Sequence, residues 1–323
     1  MLNRRILRIK AFKVLYSYAE NPDLTLKEAI ASLDTSSEAT RDLYLYMLAL
    51  IPALTAEAAR RTEAARAKFN PSEQDLHPNL RFVENKVSAL LSQDPDFQKL
   101  LEKKKFSWEQ NDAFLYNLYE SVKSRPWFAA YMDAPASSLS KDAALWKHIF
   151  EEELEDNESL SAILEDQSIY WSDDLPYALI CCVRSLDDIA VRGRWSYPPL
   201  YQSEVLAAQG QKVESDSVFV HSLLTVCYGH FREYFNLVAE SVSKWDRDRL
   251  YTSDMVLIAM GLSEAETFPD IPVKVTINEY IEISKFYSTP ESRRFVNGML
   301  DRLSTVLKEE GKLVKTGLGL VEK

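Results

Sequence analysis

The chain has 323 residues, of which 46% are hydrophobic, and a formal net charge of −11. Only eight residues are glycine, so few positions suit the positive-φ turns of β-hairpins or glycine-rich phosphate loops. This composition predicts an all-α protein and argues against nucleotide-cradling folds. Three cysteines are too few for a disulfide scaffold, which favours a reducing, intracellular compartment.

The first twenty residues predict an amphipathic helix that begins with cations. The segment MLNRRILRIKAFKVLYSYA carries five Lys or Arg and no acid. Arg4 and Arg8 lie one turn apart on one face with Arg5 beside them, and apolar residues cover much of the remaining circumference. Three interpretations are open: a targeting peptide, a solvated helix face or a local anion site. A signal peptide is disfavoured because Arg8, Lys10 and Lys13 interrupt its apolar core.

The next elements are a long helix, a loop and a distant linker. Residues 38–68 predict one helix bent at Pro52, and residues 69–80, with two prolines, predict a loop. Helical periodicity then continues up to residues 192–216, which form the least periodic stretch and the best linker candidate. The longest apolar run, residues 43–56, has about fourteen residues, whereas a membrane span needs about twenty. We therefore expect no membrane span and a cytoplasmic protein.

A tryptophan motif recurs at three helix boundaries. The segments are WEQND from Trp108, WSDD from Trp171 and WDRD from Trp245. Aspartate before a helix is a good N-cap, and a preceding large apolar residue can staple the first turn to the core. The motif therefore predicts a reused helix–turn–helix unit rather than a functional site.

Residues 269–300, PDIPVKVTINEYIEISKFYSTPESRRFVNGML, are the most informative stretch. Thr276 and Glu279 have the spacing of a capping box, which predicts a helix start there. Thr289 and Pro290 predict the start of a second helix. Gly298 inside that helix costs about 1 kcal/mol relative to alanine, which predicts a close approach of another helix.

Both ends of the chain resemble the NusB family of bacterial transcription antitermination factors. The resemblance rests on DIPVKVTINEYIEISKFY and SRRFVNGMLD near the carboxyl end and on NRRILRIKAFKVLY at the amino end. Residues 217–262 also fit the family's middle helices, and close resemblance covers about a third of the chain. The chain is about twice the family's usual length, and such long versions resemble those of the Bacteroidetes group.

The resemblance implies an all-helical fold of two small bundles and a non-enzymatic, RNA-binding role without a cofactor. Family members bind boxA-type single-stranded RNA of ribosomal RNA leaders together with NusE, a small-subunit ribosomal protein, in the RNA polymerase antitermination complex. The implied RNA-binding residues, with Lys10 added as a neighbouring cation, are Arg4, Arg5, Arg8, Lys10, Tyr16, Arg294, Phe295 and Asn297. Asp254 lies near the acidic position that faces NusE in the family.

Physical chemistry supports an RNA ligand for this helix. Arginine binds two phosphate oxygens at once and stacks on bases. The net charge of −11 does not exclude RNA binding at this helix. At physiological salt the screening length is about 8 Å, so a ligand at the helix interacts mainly with the nearby cations.

The resemblance, together with the length of the chain, implies NusB-like helical bundles with a large helical insertion. We expect an N-terminal subdomain over residues 1–70, the insertion over 71–210, a NusB-like domain over 211–310 and a basic tail over 311–323. The family's third helix has two possible counterparts, one within residues 20–68 and one near residues 217–243.

Three other functions are weaker alternatives. A protein-interaction module without RNA binding would leave the insertion as the working part. An RNA cytosine methyltransferase with a NusB-like domain would need a cofactor domain with glycine-rich loops, for which this chain has no room. His221, Cys227 and His230 could converge partly on one helix, but they lack a fourth ligand or a paired motif, so ordinary helix packing is favoured over a metal site.

Overall fold

The computed structural model describes residues 1–202, 215–242 and 250–320. Within these ranges the protein consists mainly of α-helices and contains no β-strand, which confirms the all-α prediction. The helices are α1 Arg4–Glu20, α2 Leu26–Arg66, α3 Glu73–Leu76, α4 Lys86–Gln93, α5 Pro95–Lys104, α6 Asp112–Lys123, α7 Pro126–Asp133, α8 Leu139–Glu153, α9 Glu158–Gln167, α10 Leu175–Arg192, α11 Asp216–Ser241, α12 Thr252–Thr267, α13 Val273–Tyr287 and α14 Ser292–Glu309.

The chain divides into two compact units. Unit 1 comprises Met1–Ser37 and Leu200–Lys323, and unit 2 comprises Glu38–Pro199. These boundaries, after residues 37 and 199, differ from those expected at residues 70 and 210. The first of them lies inside α2, Leu26–Arg66. Helix periodicity marks where a helix is, but it does not show which core each part of the helix joins.

In unit 1, helix α12 is the central element, and α1, α11, α13 and α14 all pack on it. Every residue from Asp254 to Ala265 is buried. A Cβ on Gly261 would lie 2.6 Å from Leu300 Cδ2, so α14 approaches α12 at this glycine. The prediction of close approach at Gly298 is wrong, because Gly298 is exposed and a Cβ there would meet nothing within 4 Å.

The predicted capping box in α13 is also wrong. The helix begins at Val273 after Pro272, and Thr276 is buried inside it. Its hydroxyl donates to the Glu264 carboxylate, 3.0 Å away, while Glu279 binds an arginine of α1. At α14 the Thr289 hydroxyl accepts a hydrogen bond from the Ser292 N–H at 3.3 Å, as expected of a capping residue. The helix itself begins later than expected, at Ser292.

In unit 2, α4, α6, α7 and α10 all pack on α8, and residues 43–51 of α2 are buried. Two of the recurring tryptophans are buried here, as the staple interpretation requires. The Trp108 indole donates to the carbonyl of Tyr46 at 3.0 Å, and the Trp171 indole donates to that of Ala39 at 2.9 Å. The N-cap prediction holds only in position and only for Asp174, which is the N-cap residue of α10 but makes no side-chain cap hydrogen bond and accepts instead from Thr40. Asp112 is already inside α6. The Trp245 motif lies outside the described residues.

Four other expectations concern α2 and the connections. Pro52 lies inside the continuous helix, and the loop predicted over residues 69–80 contains the short helix α3. One 18-residue window of α2 is apolar enough to cross a membrane, but 72% of that window is buried within the protein, as in the core helix of a soluble protein. The linker predicted over residues 192–216 lies partly outside the described residues.

Candidate functional site

Helix α1 holds its arginines against the carboxyl-terminal helices of unit 1. The Asn3 side chain caps α1 by accepting from the Ile6 N–H, at 3.0 Å, and α1 then packs on α11 and α12. The arginine cluster, defined as Arg4, Arg5 and Arg8, therefore lies beside acidic residues of α11, α12 and α13.

Arg8 is the buried member of the arginine cluster. Only 4% of it is exposed, and both its Nε and an Nη atom donate to the buried carboxylate of Glu264 at 2.7 Å. Thr276 and Tyr280 donate two further hydrogen bonds to the same carboxylate, each 3.0 Å long. Burial opposes the charge of Arg8, but the hydrogen bonds and charge of Glu264 outweigh it, so the pKa of Arg8 is raised. This guanidinium therefore orders unit 1 rather than facing a solvent-borne ligand.

Arg5 is the most exposed member, with 48% of its side chain accessible. Its Nε and Nη2 atoms bind the two Glu279 oxygens at 2.9 and 2.7 Å. These hydrogen bonds raise the pKa of Arg5 and lower that of Glu279. The third nitrogen, Nη1, makes no hydrogen bond among the described residues and is available for an anion.

Arg4 lies between these extremes. Its Nε lies 3.1 Å from Asp216 Oδ1, and its guanidinium lies 4.6 Å from the centre of the Phe219 ring. The contact with the Phe219 ring and the ion pair with Asp216 together fix the orientation of the Arg4 guanidinium. Arg4 and Arg5 are therefore both accessible and oriented, although each already faces a carboxylate.

The two lysines of α1 differ in position. Lys10 is only 1% exposed, so in this structure it is not part of the surface on which an RNA contact was predicted. Lys13, which was not among the predicted contacts, lies 5.8 Å above the Tyr287 ring of α13. Periodicity could have excluded Lys10, because the residue lies in the apolar stretch of the helix.

An aromatic set follows the arginine cluster along the same pair of helices. The Phe12 ring lies 5.2 Å from Tyr287 and 6.2 Å from Tyr16. Because Arg5 pairs with Glu279 and Phe12 contacts Tyr287, α1 and α13 run side by side in the same direction. Phe286 at the end of α13 is 80% exposed. The α1–α13 face therefore has cations at one end and aromatic rings about 16 Å further along, at 1.5 Å per residue from Arg5 to Tyr16.

A groove opens at the cation end of this face. We call it the α1–α13 groove; its volume is about 740 Å³, and its lining includes Arg4, Arg5, Arg8, Ile271, Pro272, Lys274, Val275 and Leu318. Lys274 is exposed and makes no ion pair among the described residues. Lys274, Tyr287 and Phe286 are not among the residues predicted from the sequence. All three residues belong to the family motif that contains Glu279 and lie on the same helix, α13, so that motif could have identified them.

The predicted residues of α14 lie at the other end of α13. Arg294 and Asn297 are exposed and Phe295 is half-buried. Phe295 lines a second cavity of about 520 Å³ together with Tyr251 and Asp254. From Glu279, which binds Arg5, to Ser288 at the end of α13 there are nine residue steps, or about 14 Å of helix. The structure therefore does not bring the α14 residues into contact with the arginine cluster.

Asp254, the predicted contact for a partner protein, is buried. It is 2% exposed and accepts a hydrogen bond from Ser288. Tyr251 lines the same cavity as Asp254 and, unlike Asp254, is exposed. In this structure Asp254 ties α12 to the end of α13.

The histidines and cysteine considered as metal ligands have separate surroundings. His221 Nε2 lies 2.8 Å from Asp34, and His230 lies beside Glu233. Cys227 is buried, and burial raises the pKa of its thiol to about 12. Among the described residues no group of three metal-type side chains converges.

Comparison with known proteins places the carboxyl-terminal helices in a family. The model of the NusB family matches residues 186–305, from the end of α10 into α14. Helix α1 lies outside this range but packs on two of the matched helices. No solved structure matches the chain.

Three curated relatives carry the name "Transcription antitermination protein NusB". The protein from Chloroherpeton thalassium is 35% identical over 104 residues, which are 32% of this chain and 49% of that relative. The protein from Salinibacter ruber is 39% identical over 85 residues, which are 26% of this chain and 53% of the relative. The protein from Myxococcus xanthus is 35% identical over 104 residues, which are 32% of this chain and 74% of the relative.

The matched segment thus spans about half the length of the first two relatives and about three quarters of the third. The match coincides with the helices that form most of unit 1. The chain belongs to the NusB family.

Proposed function

We propose that this protein is a non-enzymatic, cytoplasmic transcription antitermination factor that binds boxA-type single-stranded RNA of ribosomal RNA leaders. In this proposal it acts with a NusE-type small-subunit ribosomal protein in the RNA polymerase antitermination complex. The relatives named for antitermination support the activity. The observation that carries RNA binding is the α1–α13 face, where partly exposed Arg4 and Arg5 precede the rings of Tyr16 and Tyr287.

This arrangement suits a single strand. Cations hold the phosphates, and bases stack on rings or guanidinium planes without needing a duplex. Arg4, Arg5 and Tyr16 are the proposed contacts, with Arg294, Phe295 and Asn297 further along α13 as a second group. Arg8 supports the site by fixing α1 on α12, and the proposed role of Lys10 is likewise internal because both residues are buried.

The test is RNA binding as a function of salt. Fluorescence anisotropy with a labelled boxA-type RNA would compare wild type with the Arg4→Ala/Arg5→Ala variant. Each phosphate contact on a single strand contributes about 0.7 to the slope of log affinity against log salt. Loss of two contacts should therefore flatten the slope by about 1.4 and weaken binding at low salt.

A matched control is the Arg60→Ala/Arg192→Ala variant, which makes the same change in net charge within unit 2. Both side chains are mostly exposed. Equal slopes for wild type and both variants would refute the proposed contact surface. A pull-down of the full chain with its cognate NusE-type ribosomal protein, with and without leader RNA, tests the partner.

One observation favours a second candidate, a protein-interaction module without RNA binding. Arg4, Arg5 and Arg8 each face a carboxylate, so the arginine cluster can be satisfied without phosphate. In that case wild type would capture the ribosomal protein but show no salt-dependent RNA affinity.

A further inference from the structure

Residues 311–320 fold back onto the end of α12. The Lys315 ammonium donates to the carbonyls of Ala265 and Phe268 at 2.7 and 3.0 Å. The Thr316 N–H donates to the Pro269 carbonyl at 3.1 Å, and its hydroxyl donates to Asp270 at 3.2 Å. This segment lies beyond the family-matched range, which ends at residue 305.

Two glycines hold the segment in place. Gly317 has a φ of +51°, which side-chain-bearing residues rarely adopt. A Cβ on Gly319 would lie 1.9 Å from the Pro269 carbonyl oxygen, so only glycine permits this approach. The turn Gly317–Leu320 is a 3-10 helix, and from it Leu318 lines the α1–α13 groove with 58% of the residue exposed.

The groove combines an apolar surface with available cations. Pro272, Val275 and Leu318 provide apolar lining, and the cavity volume of about 740 Å³ falls within the range of about 300–1,000 Å³ that ligand sites occupy. Lys274 has no ion-pair partner among the described residues. Arg5 Nη1 likewise makes no hydrogen bond there.

The carboxylates of the groove are already engaged. Both oxygens of Glu279 accept from Arg5, and Asp270 accepts from Thr316. Asp270 keeps its negative charge, but the lining has four cations, Arg4, Arg5, Arg8 and Lys274, against the two carboxylates. The groove is therefore cationic on balance, with an apolar surface beside the charges. A nucleotide matches it, because a flat, largely apolar base is joined to an anionic phosphate.

We infer that the α1–α13 groove binds one base of the RNA and that residues 311–320 form part of the RNA-binding surface. Leu318 and Val275 pack on the base, while Arg5 and Lys274 hold the adjoining phosphate. This inference rests on the proposed RNA binding. It adds a segment outside the matched family region and predicts that binding depends on bases as well as on charge.

The test compares Leu318→Ala with the matched control Leu320→Ala. Leu320 is in the same turn and is 67% exposed, but it does not line the groove. The probe is a labelled single-stranded RNA of about twelve nucleotides, a length typical of single-strand sites. A second probe has the same phosphates but abasic sugars throughout.

Loss of one buried CH₂ contact corresponds to about a fourfold change in affinity. Leu318→Ala should therefore weaken RNA binding at least about fourfold, without changing the salt slope, because no phosphate contact is lost. Leu320→Ala should bind like wild type. Leu318→Phe should bind RNA at least as tightly as wild type, because phenylalanine can still pack on a base. If the effect of Leu318→Ala came only from unfolding of the turn, Leu318→Phe would weaken binding as well. On the abasic probe all four proteins should bind equally.

The outcomes separate this inference from the proposed function. If RNA binding depends on Arg4 and Arg5 but Leu318→Ala equals Leu320→Ala, the groove inference is overturned and the RNA function stands. The same conclusion holds if Leu318→Ala weakens both probes equally. If wild type binds neither probe at low salt, both proposals fail.

Discussion

Removing the charge of Glu264 should destabilise unit 1 severely. This carboxylate is fully buried and accepts four hydrogen bonds, two from Arg8 and one each from Thr276 and Tyr280. The variant Glu264→Gln keeps the shape but replaces one acceptor oxygen with an NH₂ group. That group points donors at the donors of Arg8, which itself stays charged and buried.

The expected loss is about 3–5 kcal/mol in the free energy of unfolding, as for other buried pairs that lose one partner. The exposed pair provides the contrast: Arg5→Ala removes a partly solvated ion pair and should cost at most about 1 kcal/mol. The combined Arg8→Met/Glu264→Met variant should recover part of the loss, because no charge remains buried. The Thr276 and Tyr280 hydroxyls would still lack their acceptor, at about 1–3 kcal/mol for each buried group.

Amide hydrogen exchange detected by mass spectrometry measures these effects locally. Peptides from α1, α12 and α13 of Glu264→Gln should exchange roughly two to four orders of magnitude faster, since 1.36 kcal/mol is tenfold. Peptides from α8 in unit 2 provide the internal reference. If the free energy of opening in α1 and α12 changed by less than about 1 kcal/mol, the reasoning would be refuted, because the buried Arg8 guanidinium would then have another hydrogen-bond acceptor.

Four further expectations follow from individual side chains. Glu279→Gln removes a carboxylate that competes with phosphate for Arg5, so RNA affinity should rise, as measured by anisotropy; a fall would count against competition. Gly261→Ala should cost about 1–3 kcal/mol through overpacking, whereas Gly298→Ala should gain about 0.5–1 kcal/mol, and chemical denaturation distinguishes the two. Burial lowers the pKa of Lys315 to about 8, below the unfolded value of about 10.4, so the unfolded state binds more protons between these pH values. Stability should therefore rise from pH 8 to about 10.4, and Lys315→Met should abolish that rise in the urea midpoint. The three cysteine thiols are buried and burial raises their pKa values, so Ellman's reagent should react with them only after unfolding; rapid reaction of the native protein would contradict this.

Much of the fold was predictable because it depends on local patterns. Scarce glycine and helical periodicity predict an all-α chain, and the motif around Glu279 identifies the family without knowledge of any contact. The predictions that failed concern residues whose local chemistry permits two roles. Thr276 and Glu279 have the spacing of a capping box, but Thr276 donates to Glu264 of the preceding helix, 12 positions away, and Glu279 binds Arg5, 274 positions away.

The sequence by itself determined the helical class, the family and the presence of a cationic first helix, since each is encoded in composition or in a contiguous motif. Only the tertiary structure decided which cations face solvent. Arg5 and Arg8 are alike in sequence, yet the packing of α1 on α12 buries Arg8 against Glu264 and leaves half of the Arg5 side chain exposed. Desolvation and ion pairing depend on residues more than 250 positions away, so no local pattern can specify them.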